Sequence, residues 1–125
     1  MEKLVGSWNV VGEAPGQDAF AVLLTFTSDG SVIANEQPGP FETTAQGSWV
    51  STGPHEAGYT FLALFGSAES KLTSRAKVIG TLQYDVGTDT WRGPFRIEIV
   101  DPGGQQVFAT RGTLSGVRIV VEPFD

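Results

Sequence analysis

Glycine and proline interrupt this chain so regularly that no helix of three turns fits along it. Sixteen glycines and seven prolines fall at intervals of roughly 8 to 14 residues between β-branched and aromatic stretches, the punctuation of a β-meander. Nine strands are predicted, at Gly6–Gly12, Ala19–Ser28, Ser31–Gln37, Thr44–Thr52, Gly58–Ser67, Leu72–Val86, Thr90–Asp101, Gln105–Leu114 and Val117–Glu122. The turns between them carry their own chemistry. Asp29-Gly30 supplies positive φ for a two-residue hairpin, Asp101-Pro102-Gly103-Gly104 presets one turn and permits the next, and Gly87-Thr88-Asp89 makes a short reversal. Parallel neighbours would need crossovers of about a dozen residues or more, and only the Pro/Gly-rich stretch Gln37–Thr44 comes near that length. The expected fold is therefore an all-β, antiparallel, up-and-down barrel of eight to nine strands, one domain over residues 1–125.

Closure into a barrel is suggested by a repeated triplet. Gly6-Ser7-Trp8, Gly47-Ser48-Trp49, Gly80-Thr81-Leu82, Gly93-Pro94-Phe95 and Gly112-Thr113-Leu114 each set a glycine within or at the edge of a strand before a large apolar residue. Glycine weakens a flat strand but suits one that bends sharply, where a Cβ would clash as the sheet coils. Pro94 cannot donate to a ladder, so a bulge or an unpaired position is expected there.

Composition removes several function classes. With no cysteine and one histidine, thiolate chemistry, Cys-based metal sites and multi-His metal centres are excluded, and neither a metal nor a cofactor is expected. A formal charge of −6 opposes the phosphate backbone that dominates nucleic-acid affinity. The longest apolar run, Ala19 to Leu24, has six residues, against about 20 for a membrane helix. The first residues enter a strand pattern without the apolar stretch of a signal peptide, so a cytoplasmic location is expected.

Alternation assigns the faces. Trp91, Phe95, Ile97 and Ile99 oppose Arg92, Arg96 and Glu98, and Ala76, Val78, Gly80 and Leu82 oppose Arg75, Lys77, Thr81 and Gln83, so the apolar sets point inward. Around Phe20–Phe26 and Tyr59–Phe65 both faces are apolar, because Ala21, Leu23, Leu62 and Leu64 fill the outer positions. A covering segment or a homodimer is expected over them.

Gly6-Ser7-Trp8 on the first strand, with Arg118 on the last, resembles the Gly-x-Trp and distant Arg signature of the calycins, the superfamily of lipocalins, fatty-acid-binding proteins and avidins. The resemblance implies that Trp8 closes one barrel end with Arg118 across its indole face, a contact worth about 0.5–2 kcal/mol. Gly47-Ser48-Trp49 repeats half of the signature, so Trp49 is an alternative closing residue. The chain departs from secreted lipocalins, which carry a leader, a disulfide and a C-terminal helix. Glu13-Ala14-Pro15-Gly16 is too short for the helical pair of fatty-acid-binding proteins. Asn9 is reminiscent of avidins, but their later tryptophan-bearing biotin contacts are missing. The chain looks most like small bacterial cytosolic barrels with a lipocalin-like frame, a group that spans binders and cofactor-free enzymes such as cyclases.

Polar chemistry is sparse. His55 sits in a Gly/Pro-rich hairpin tip and reads as a solvated loop residue. Asp18, Asp29, Glu36, Asp85, Asp89 and Asp101 fall at turns or strand ends, so paired-carboxylate hydrolysis is not expected. Tyr59, Tyr84, Gln46 and Arg111 are the polar candidates for a cavity. The first functional expectation is binding of a small hydrophobic molecule by Phe20, Leu24, Phe26, Trp49, Phe61, Phe65, Trp91 and Phe95. An alternative is a cofactor-free cyclase or isomerase in the same cavity, with Tyr59 or Tyr84 donating a hydrogen bond to developing charge. A third is a solidly packed barrel used for protein contact.

Overall fold

The computed structural model describes residues 1–36 and 42–124. A 3-10 turn at Glu2–Leu4 leads into eight strands: β1 Gly6–Glu13, β2 Phe20–Phe26, β3 Ser31–Glu36, β4 Ala45–Gly53, β5 Glu56–Gly66, β6 Leu72–Asp85, β7 Thr90–Val100 and β8 Gln106–Arg118. Each strand pairs antiparallel with the next, and β8 returns to β1, with Trp8 opposite Arg118 and Glu13 opposite Thr113. The result is a closed up-and-down barrel. Most of the long connection expected over 37–44 lies outside the described residues.

The strand expected at Val117–Glu122 does not exist. Its first residues continue β8, and residues 119–124 are not in a strand. Ser115-Gly116 reads as a turn in sequence, yet Gly116 lies within β8, opposite Trp91 and against its indole. A Cβ there would lie 2.4 Å from Trp91 Cε2. The Asp29-Gly30 link also differs from the two-residue hairpin expected. Residues 27–30 form a four-residue connection, and only Gly30 takes positive φ, at 93°.

The triplet glycines sit where neighbours crowd the backbone. Cβ atoms added at Gly47, Gly93 and Gly112 would come within 2.1 Å of carbonyl oxygens on adjacent strands, those of Thr60, Thr81 and Glu13. Pro94 stands opposite Thr113 of β8 but is unpaired on its β6 side, where the β6–β7 ladder runs from Gly80 opposite Phe95 to Gln83 opposite Arg92 without a register shift, skipping the residues between. No bulge is needed.

Alternation sorts the faces as the residue pattern predicts. On β7, Trp91 and Phe95 are buried while Arg92 and Arg96 are exposed, and Ala76 and Leu82 on β6 are buried between exposed Arg75, Lys77, Thr81 and Gln83. On the outside, Leu23, Leu62 and Leu64 remain 54%, 47% and 42% exposed. Among the described residues no helix is long and apolar enough to cross a membrane.

The interior is divided across its length. At one end Leu4, Trp8, Val10, Leu24, Phe26, Val32, Tyr59, Leu82, Tyr84 and Trp91 pack together, all under a tenth exposed. Their rings meet edge to face, Trp8 against Trp91 at 6.2 Å, Trp8 against Tyr84 at 6.3 Å and Phe26 against Trp91 at 6.2 Å, the arrangement that the ring quadrupole favours. Below them, Trp8 Nε1 donates to the Leu4 carbonyl at 2.9 Å, and Arg118 covers the Trp8 ring. This end is sealed.

Candidate functional site

The other half of the barrel is hollow. A cavity of about 500 Å³ is bounded by Phe20 and Val22 of β2, Phe61, Ala63 and Phe65 of β5, Ala76 and Val78 of β6, and Phe95, Ile97 and Ile99 of β7, among others. That volume lies within the range of small-molecule sites. Its origin is a set of small residues at inward positions. Ala34 of β3 pairs with Ala45 of β4, Ala63 of β5 pairs with Ala76 of β6, and all four line the space. At the sealed end the same strands instead contribute Val32, Trp49, Tyr59 and Leu82. Each of these four strands thus sets an alanine at the level of the cavity and a larger side chain at the sealed end.

Of the expected lining residues, Phe20, Phe61, Phe65 and Phe95 border the cavity, with Phe20 and Phe95 edge to face at 6.0 Å. Leu24, Phe26, Trp49 and Trp91 belong to the packed half. Phe26 touches Trp49, Tyr59 and Trp91, and Trp49 Nε1 donates to the Thr27 carbonyl at 2.9 Å.

The two tyrosines lie outside the cavity lining. Tyr59 stacks on Phe61 with 5.9 Å between centroids. Its hydroxyl is buried in the space that Gly80 leaves open, with no hydrogen-bond partner among the described residues. Burial pushes this phenol far above its ordinary range. The Tyr84 hydroxyl donates to Asp89 Oδ1 at 2.6 Å, and that hydrogen bond raises its pKa. Tyr84 therefore belongs to the closing cluster of Trp8, Asp89 and Arg118. Gln46 and Arg111 are exposed, and both have outward parity, since the neighbouring Ala45 and Thr110 line the cavity. His55 is exposed in the β4–β5 turn, where its carbonyl accepts from the Tyr84 amide at 2.8 Å.

The polar groups that do reach the cavity are not the candidates expected from the sequence, which set Asp18 and Glu36 aside as acids of turns or strand ends. They are Gln17, Asp18, Glu36, Glu42 and Thr110. Glu36 continues the inward series Val32, Ala34, Glu36 on β3, so its carboxylate faces inside although it closes a strand. Glu42 is held by an isolated bridge to Phe65 on β5, next to Thr43, whose amide donates to the Leu64 carbonyl and whose hydroxyl accepts from the Leu64 amide, both at 2.9 Å. Desolvation raises the pKa of Glu36. Glu42 is raised by desolvation and further by the negative charge of Glu36 beside it. The only signal for this pair in the sequence is the parity of Glu36 with Val32 and Ala34.

Chemically, the site offers an apolar hollow with a few oxygen acceptors on its border. Among the described residues no three His, Cys, Asp or Glu side chains converge to hold a metal ion. Comparison of the chain with protein-family models, with curated proteins and with solved structures finds no match to any of them.

Proposed function

We propose that this protein binds a small, largely apolar molecule inside its barrel. The observation that supports the reading best is the cavity of about 500 Å³ with phenylalanine, alanine, valine and isoleucine walls. Leaving such space inside a barrel forgoes the packing that stabilises an interior, and a guest that fills it restores those contacts. The packed-barrel alternative accounts for only the sealed half. The barrel order and the Trp8–Arg118 closure also favour kinship with the calycins.

A panel of apolar ligands in a thermal-shift assay tests this reading. A true ligand at 100 times its Kd stabilises the fold by about 2.7 kcal/mol. Ala76→Phe, which puts a ring into the hollow, is expected to abolish the shift while preserving the fold. Ligand response that survives Ala76→Phe unchanged counts against the cavity as the site.

A second reading is cofactor-free isomerisation or cyclisation in the same space. It is favoured by Glu36, whose raised pKa suits proton donation at the edge of an apolar pocket. Conversion of a bound polyene, lost in Glu36→Gln, would distinguish it from simple binding. The proposal extends to a homodimer through the outward Leu23, Leu62 and Leu64. A monomer in sedimentation velocity at micromolar concentration would end that part.

A further inference from the structure

Charge on the cavity border has one sign. Asp18, Glu36 and Glu42 line it, and no lysine, arginine or histidine does. The chain's eight basic side chains all lie within the described residues, and the ion pairs among those residues are Arg96 with Glu98 and Arg118 with Asp89. The two glutamates therefore have no internal cation. They border the same outer groove and are anchored by different strands. Glu36 stands at the end of β3 opposite Val22 of β2, and Glu42 is fixed to Phe65 of β5. Leu23, Asn35 and Thr43 also edge this groove, so the carboxylates stand where the apolar interior meets the outside.

Resting on the cavity reading above, we propose that the ligand is an apolar molecule carrying a basic nitrogen, with its hydrocarbon part against Phe61, Ala63, Ala76 and Phe95 and its ammonium between Glu36 and Glu42. A fatty acid would bring its carboxylate to a border that is already negative and without a cation. A neutral alcohol would gain the apolar contacts alone. Two partly desolvated carboxylates side by side carry an unfavourable repulsion, which an ammonium placed between them relieves. The apolar walls provide affinity for the chain, and the glutamates select its head group.

The test compares decylamine, decanol and sodium decanoate by isothermal titration calorimetry at pH 7, below their aggregation concentrations. The expected order is amine, then alcohol, then acid, with the amine about ten-fold or more tighter than the alcohol. In the double variant Glu36→Gln/Glu42→Gln the amine is expected to fall to the level of decanol, while decanol itself is unchanged. Glu69→Gln, a control in the β5–β6 connection, should retain the amine preference. Ala76→Phe should remove amine and alcohol binding together.

Equal affinity for amine and alcohol, or preference for decanoate, overturns the inference while leaving the cavity reading in place. Amine binding that persists in Ala76→Phe also overturns it, because the amine would then be held by surface charge alone. Failure of all three probes to bind the wild-type protein would remove both the inference and the reading beneath it. The wild-type ranking needs no variant to fold, and near-ultraviolet circular dichroism checks those that are made.

Discussion

The guanidinium carbon of Arg118 lies 4.3 Å from the centroid of the Trp8 ring, joining the last residue of β8 to the third residue of β1. Arg118 also donates to Asp89 at 2.7 Å and to the Val5 carbonyl at 2.9 Å, with a further hydrogen bond to the Lys3 carbonyl. One planar cation thus covers the indole and ties down the N-terminal segment. Arg118→Lys keeps the charge but loses the fork and the stacking face, and is expected to cost about 1–3 kcal/mol in denaturant unfolding. Loss of less than about half a kcal/mol would make the contact ornamental.

Asp89 gives this cluster a pH signature. The hydrogen bond from Arg118, followed by that from Tyr84, holds its carboxyl below the ordinary value of 3.8. A depressed folded pKa contributes stability above 3.8 that is lost as pH falls through the lower folded value. Asp89→Asn should therefore be less stable than wild type at pH 7, by about 1 kcal/mol or less because the pair is partly exposed. The gap should close on acidification below pH 3.8, as read from urea midpoints across pH.

Glu36 predicts the opposite sign. Burial raises its folded pKa above the ordinary 4.5, so its stabilising contribution is complete below 4.5 and is lost as pH rises through the raised value. Glu36→Gln should melt about 1–3 °C higher than the ligand-free wild type at pH 7, with no such advantage below pH 4.5. A melting point lowered at pH 7 would show that the carboxylate has a stabilising partner.

Gly116 tests the tight contact with Trp91. A methyl group at this position meets the indole Cε2 at 2.4 Å, and the ring is held by Trp8 and Phe26 on other sides. Gly116→Ala is expected to destabilise by about 1–3 kcal/mol through overpacking and to change the near-ultraviolet tryptophan signal. Wild-type stability in this variant would mean that the sealed half yields easily.

Much of the barrel was legible because alternation is local. The parity of Trp91, Phe95 and Ile97 against Arg92 and Arg96 fixes the inward face of β7 without knowledge of any other strand. The Trp8 and Arg118 pairing was legible through a resemblance. Ser115-Gly116 misled because a turn composition and a close indole contact ask for the same small residue, and only the position of Trp91 distinguishes them. The height of a residue along the barrel was not legible at all. Phe26 and Phe20 share a face and a strand, but one belongs to the packed end and the other borders the cavity, which depends on the stagger between strands. A hollow was expected, but its place along the barrel escaped for the same reason: Ala34 meets Ala45, and Ala63 meets Ala76, only once the register is known. Glu36 was hidden by its place at a strand end, where an acid is usually solvated.

The split between a filled end and an empty one separates two demands that compete in most interiors. Substitutions among the four alanines can reshape the chamber for a different guest while the aromatic plug, at the opposite pole, goes on holding the cylinder shut. Such a scaffold can acquire new tenants by small steps without first weakening its foundations.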